Sequence, residues 1–135
     1  MFTPSRLFTP SSLRASLTMA TLVVGLSACG GGSSEPSYTV PADADLVVKA
    51  VPTIRWDQTE YTAPAGEVDV FLANDDNVKH VMVILQGDQV VGDLELTVNK
   101  TGDTAQGTIE LEPGQYRVYC TIPGHSNMDS TLTVS

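Results

Sequence analysis

The chain has 135 residues, enough for one domain and too few for two, and its three Phe, one Trp and short Val/Leu/Ile runs can build one modest core. Seven basic residues face sixteen acidic ones, a net charge of −9; Arg6 and Arg14 fall in a segment expected to be removed, so the mature part carries five against sixteen, a net of −11. So acidic a surface argues against nucleic acid and anionic lipid as partners, and favours a basic partner or no electrostatic preference.

Residues 1–28 read as a targeting segment. Arg6 and Arg14 form a positive start, and Ala15 to Ala28 is an apolar, small-residue run too short to cross a bilayer as a helix. The segment ends in Leu26-Ser27-Ala28-Cys29, which resembles the bacterial lipobox. That resemblance implies cleavage before Cys29, lipid on its thiol and acylation of the new amino terminus. Several acyl chains on one residue anchor firmly, since each buried CH₂ adds about 0.8 kcal/mol. The competing readings are a plain signal peptide with Cys29 incidental, or a Cys29–Cys120 disulfide. The Gly/Ser-rich run after Cys29 and a better use for Cys120 weigh against both. Residues 29–37 are then a lipidated cysteine and a loose Gly/Ser tether, and residues 38–135 are the globular domain. The expected location is extracytoplasmic, on a bacterial cell surface or the periplasmic face of a membrane.

Within the domain the period is that of strands. Trp56 and Tyr61 read as core or rim packing. Pro64-Ala65-Gly66 marks a turn before Glu67–Asn74, where Val68, Val70 and Leu72 alternate with more polar neighbours. Asp75-Asp76 reads as a solvated turn, because it lacks the further oxygen ligands that a hard cation needs. Val78 to Leu85 is nearly all apolar, as in a strand covered on both faces, with Val78, His80, Met82 and Ile84 on the inward one. Residues 86–107 are richer in Gly, Asp and Asn, with an alternation at Leu94, Leu96 and Val98. Ile109 and Leu111 flank Glu110, and Glu112-Pro113-Gly114-Gln115 has Pro and Gly at the central positions of a type II turn. Tyr116, Val118 and Cys120 share an inward face, and Leu132 and Val134 close the chain. About six to eight short strands in such a domain imply an all-β Greek-key sandwich.

The domain holds two histidines and one cysteine, and they are not scattered. Cys120 and His125 lie in one loop, Tyr119-Cys-Thr-Ile-Pro-Gly-His-Ser-Asn-Met128, and His80 lies on the apolar strand upstream. A site that cycles between Cu(I) and Cu(II) must suit both with little rearrangement, and two imidazoles, one thiolate and a weak axial thioether do so. A loop brings Cys120 and His125 to the metal from one side, and a strand of the opposite sheet is expected to supply His80. Met128 is the one methionine downstream of His125 and the candidate axial ligand; Met82 reads as core. Zinc also accepts a His₂Cys set, and the thioether tips the choice to a single copper ion.

These residues carry a family resemblance. Pro113-Gly114-x-Tyr116-x-x-x-Cys120-Thr121-x-Pro123-Gly124-His125, then Thr131-Leu132-Thr133-Val134, with Asn74 six residues before His80, resembles the cupredoxins, in particular the azurin-like and auracyanin-like small blue-copper proteins. The similarity spans about residues 45–135. It implies a type 1 copper held by His80, Cys120, His125 and Met128. Two departures stand out. Val81 follows the ligand histidine, where the family commonly has an Asn that ties the ligand loop down. Two residues separate His125 from Met128, where three or four are usual.

The resemblance implies electron transport: a monomeric, membrane-tethered carrier that moves single electrons between redox proteins, a basic cytochrome being one candidate partner. The alternative is copper handling, meaning storage, delivery or sensing without obligatory redox cycling; few spare Met or His residues disfavour it. Catalysis is not expected, because two histidines cannot furnish a second copper centre.

Overall fold

The computed structural model describes residues 37–135. The targeting segment, Cys29 and nearly all of the tether lie outside the described residues.

Ten strands form two sheets: β1 Leu46–Val51, β2 Arg55–Trp56, β3 Glu60–Ala63, β4 Gly66–Asn74, β5 His80–Gln86, β6 Gln89–Val90, β7 Leu96–Val98, β8 Thr104–Leu111, β9 Gly114–Cys120 and β10 Asp129–Val134. One sheet runs β2-β1-β4-β8. The other runs β3-β10-β9-β5-β6, with β7 also paired to β5. Two pairings are parallel, β1 with β4 and β3 with β10; the rest are antiparallel.

In β4, β5, β9 and β10 the inward positions are those the alternation marks, and β1, which the alternation does not reveal, adds its own. Leu46, Val48 and Ala50 of β1 and Val68, Val70 and Leu72 of β4 meet Met82, Ile84, Tyr116, Val118, Leu132 and Val134 of the facing sheet. β4 is buried on both faces from Val70 to Asn74 and β5 from His80 to Leu85, the stretches where apolar residues run together. The outer face of β4 is covered in part by Tyr38, whose ring lies 6.1 Å from that of Phe71. Tyr116 donates its hydroxyl to the Glu112 carbonyl at 2.9 Å, pinning the β8–β9 corner to the strand that follows, the kind of tyrosine tie found in Greek-key sandwiches.

Several expectations need correction. The described residues hold ten strands, not six to eight, because short edge pieces such as β2 and β6 carry too few residues to show a period. β5 starts at His80, not Val78; the Val78 side chain is exposed, and its carbonyl accepts from Asn74 Nδ2 at 2.8 Å. Gly114 does not take a positive φ, so residues 112–115 are not a type II turn, and Gly114 instead begins β9. His80 and Cys120 lie on neighbouring strands of one sheet, β5 and β9, with Met82 opposite Cys120. Alternation reports which face a residue occupies but not which sheet, so the expected opposite-sheet origin of His80 does not hold.

Candidate metal centre

His80 opens β5 and Cys120 ends β9, so both side chains enter the sandwich at the same end. Both are buried, at 0% and 1% exposure. The eight-residue connection from Cys120 to β10 then folds back in tight turns. Two of its amides turn back onto the loop itself: His125 N–H donates to Ile122 O at 3.1 Å and Met128 N–H to His125 O at 2.9 Å. Cys120 N–H donates to Met128 O at 3.0 Å, closing the loop on itself. Thr121 N–H donates to Val81 O at 3.0 Å. That last bond joins the loop to the strand carrying His80 through the main chain. It does so at Val81, where the side-chain tie of an Asn is missing.

This folding returns His125 to Cys120. His125 Nδ1 lies 3.7 Å from Cys120 Sγ, and the His80 and His125 rings are 5.1 Å apart between centroids. Ligand atoms of His80, Cys120 and His125 all fall within 4.8 Å of one another. Donors about 2.0 and 2.3 Å from one ion, at tetrahedral to trigonal angles, sit about 3.5–3.7 Å apart, matching the Sγ–Nδ1 separation seen here. Cys120 is a free thiol.

Neither ring nitrogen of His80 has a hydrogen-bond partner although the residue is fully buried. Such orphaned polar atoms are rare in a folded interior because each costs its desolvation. A metal ion would satisfy one of them, and the other has only the Asp76 carboxylate, 3.4 Å from Nε2, within reach. Burial pushes the His80 pKa down, the nearby His125 pushes the same way, and Asp76 opposes them. The ring therefore favours the neutral form, the form that ligates metal. Two imidazoles and a thiolate, the last two joined by one tight loop, fit a borderline-to-soft transition metal.

Met128 is completely buried within the core, and its backbone bonds to both Cys120 and His125. His125 is half-buried, at the surface, with Pro123 and Gly124 exposed beside it; Gly124 has φ 90°, a conformation that suits glycine. Trp56 of the facing sheet lies under the site, its ring 6.3 Å from that of His80.

Asp76 was expected in a solvated turn and is instead buried. Its Oδ2 stands 3.4 Å from His80 Nε2, a contact longer than an aligned N–H···O bond. The signals that mark it in the sequence are its place four residues before His80 and the Asn74-x-Asp76 spacing of a side-chain-bonded turn.

No protein-family model matches the sequence, and no curated protein matches it. Solved structures match its fold. Auracyanin A, a "blue" copper protein from the green thermophilic photosynthetic bacterium Chloroflexus aurantiacus, aligns at a TM-score of 0.58 and 20% identity, covering 66% of this chain and 96% of its own. A purple cupredoxin from Nitrosopumilus maritimus aligns at 0.52 and 23%, covering 67% and 100%. The azurin Az-iso2 from the obligate methylotroph Methylomonas sp. strain J aligns at 0.55 and 16%, covering 70% and 99%. The fold is the cupredoxin sandwich.

Proposed function

We propose, on the premise of a cupredoxin fold that gathers two histidines and a cysteine at one end, that this protein is a mononuclear type 1 copper carrier. It is tethered to a bacterial membrane through Cys29 and passes single electrons between extracytoplasmic redox proteins. His80, Cys120 and His125 would be the strong ligands and Met128 a weak fourth one. The observation that carries the reading is the convergence of the three ligand atoms around a buried His80 ring that has no hydrogen-bond partner. Copper supplies a one-electron couple, and the Cys-Sγ, two-imidazole set suits both of its oxidation states.

The chain's own residues do the rest. The loop bonds from Cys120, Thr121 and Met128 hold the donors in place, so little reorganisation accompanies a change of charge. Burial of His80 and Cys120 keeps water out. Half-buried His125, between exposed Pro123 and Gly124 and partly buried Ile122, offers an edge for electrons and a small apolar surface for brief docking. The net of −11 expected for the mature chain suits a basic partner such as a basic cytochrome. We read the protein as a monomer that binds no nucleic acid and catalyses no reaction, since two histidines cannot build a second centre.

Copper storage or delivery would need ready exchange, which the buried His80 and Cys120 disfavour. The two are separated by adding an apo copper-binding chelator to the loaded protein while recording reversible voltammetry. A carrier keeps its copper and gives one reversible one-electron wave; a delivery protein gives its copper up.

A further inference from the structure

Asp76 is not among the metal ligands, yet it is 6% exposed and built into its place. Its Oδ1 accepts from Asn77 N–H at 2.8 Å, and its Oδ2 accepts from Ile54 N–H at 3.3 Å. Its own N–H donates to Asn74 Oδ1 at 2.9 Å. Its carbonyl accepts from Thr101 Oγ1 at 2.7 Å, so the main-chain acceptor at this position is already engaged. Asn74 braces the same turn from its other end through the Val78 carbonyl.

The Ile54 amide reaches Asp76 from an unfavourable backbone. Thr53 and Ile54 have φ of 79° and 56°, the left-handed region that β-branched residues avoid. Strain of this kind persists only where the surroundings hold it, and it gathers at functional sites. Here it presents an N–H to a carboxylate whose Oδ2 faces His80 Nε2 at 3.4 Å. An imidazole has two nitrogens. With Nε2 turned to Asp76, Nδ1 is the one free to join Cys120 Sγ and His125 Nδ1.

We propose that Asp76 is a positioning residue: its carboxylate takes the His80 Nε2–H, fixes the tautomer that offers Nδ1 to the metal, and favours the more highly charged oxidation state of the ion. The inference rests on the copper reading above. A carboxylate behind a ligating histidine orients the ring and raises its basicity. The added negative charge stabilises Cu(II) over Cu(I) and lowers the reduction potential. The strained Thr53–Ile54 turn thereby becomes part of the site's support.

The test has two arms. In the copper-loaded protein, Asp76→Asn is expected to keep the thiolate-to-copper absorption and to raise the potential by about 59 mV, a tenfold change in the relative affinity for the two oxidation states of a one-electron couple. Asp76→Glu, which keeps the charge, is expected to lie between the two. Equal potentials in wild type and Asp76→Asn would overturn the proposal. In the metal-free wild type, ¹⁵N NMR is expected to find the proton of neutral His80 on Nε2; a proton on Nδ1 would overturn it equally, and this arm needs no variant to fold. If the wild type shows no thiolate-to-copper band at all, it is the copper reading that fails, and the tautomer measurement still decides the role of Asp76.

Discussion

Trp56 on the four-stranded sheet donates its indole N–H to the Val118 carbonyl on the other sheet at 3.1 Å. Its ring also packs 6.3 Å from that of His80. One side chain thus joins the two sheets beneath the candidate metal centre. Trp56→Phe removes a buried hydrogen bond and part of a ring, and is expected to cost about 1–3 kcal/mol. A denaturant midpoint unchanged from wild type would show that the tie contributes nothing.

Met128 is buried and held to both loop ligands through its backbone. Met128→Leu conserves volume and is expected to cost less than about 1.5 kcal/mol, while removing a soft ligand and drying the site, which raises the potential. Met128→Gln offers a harder oxygen and is expected to lower it. Voltammetry on the three proteins checks the order; identical potentials and overlaid spectra would make Met128 a packing residue only.

Burial holds the His80 pKa below its ordinary value in the folded protein. A base with a depressed folded pKa binds a proton more readily when unfolded. Below the unfolded value of about 6.5, the unfolded state therefore gains protons that the folded state refuses. The metal-free protein is expected to lose stability as the pH falls through that value, with Asp76 moderating the loss and His125 adding to it. Urea midpoints on either side of that value check this. His80→Phe should flatten the dependence.

Cys29→Ala is expected to free the protein from the membrane fraction and leave the domain's thermal unfolding unchanged, because Cys29 lies outside the sandwich of residues 46–134. Fractionation at high salt checks it. A variant that still sediments with membranes would remove the lipid anchor from the account.

The sequence reads well where a residue's chemistry is rare. Two histidines, one cysteine and a methionine on one pattern mark the proposed ligand set, and period-two alternation places His80, Met82, Ile84, Val118 and Cys120 inward, as observed. It reads poorly where a property is three-dimensional. Alternation could not tell that His80 and Cys120 share a sheet. In Leu46–Val51 the extra Val47 blurs the alternation, so β1 passes unnoticed. Asp76 looks like any acidic turn residue until folding brings the Ile54 amide and the His80 ring against it. The loop tie expected from an Asn side chain is made at Val81 by a carbonyl, a bond that side-chain identity does not reveal.

The most direct measurement is the absorption and EPR spectrum of the protein with one equivalent of Cu(II), beside the same experiment on Cys120→Ser. The account expects an intense visible thiolate-to-copper band in the wild type and its loss in the variant, whose hydroxyl is a hard, poorly ionised ligand. A colourless wild-type copper complex, or a band that survives in Cys120→Ser, would contradict it.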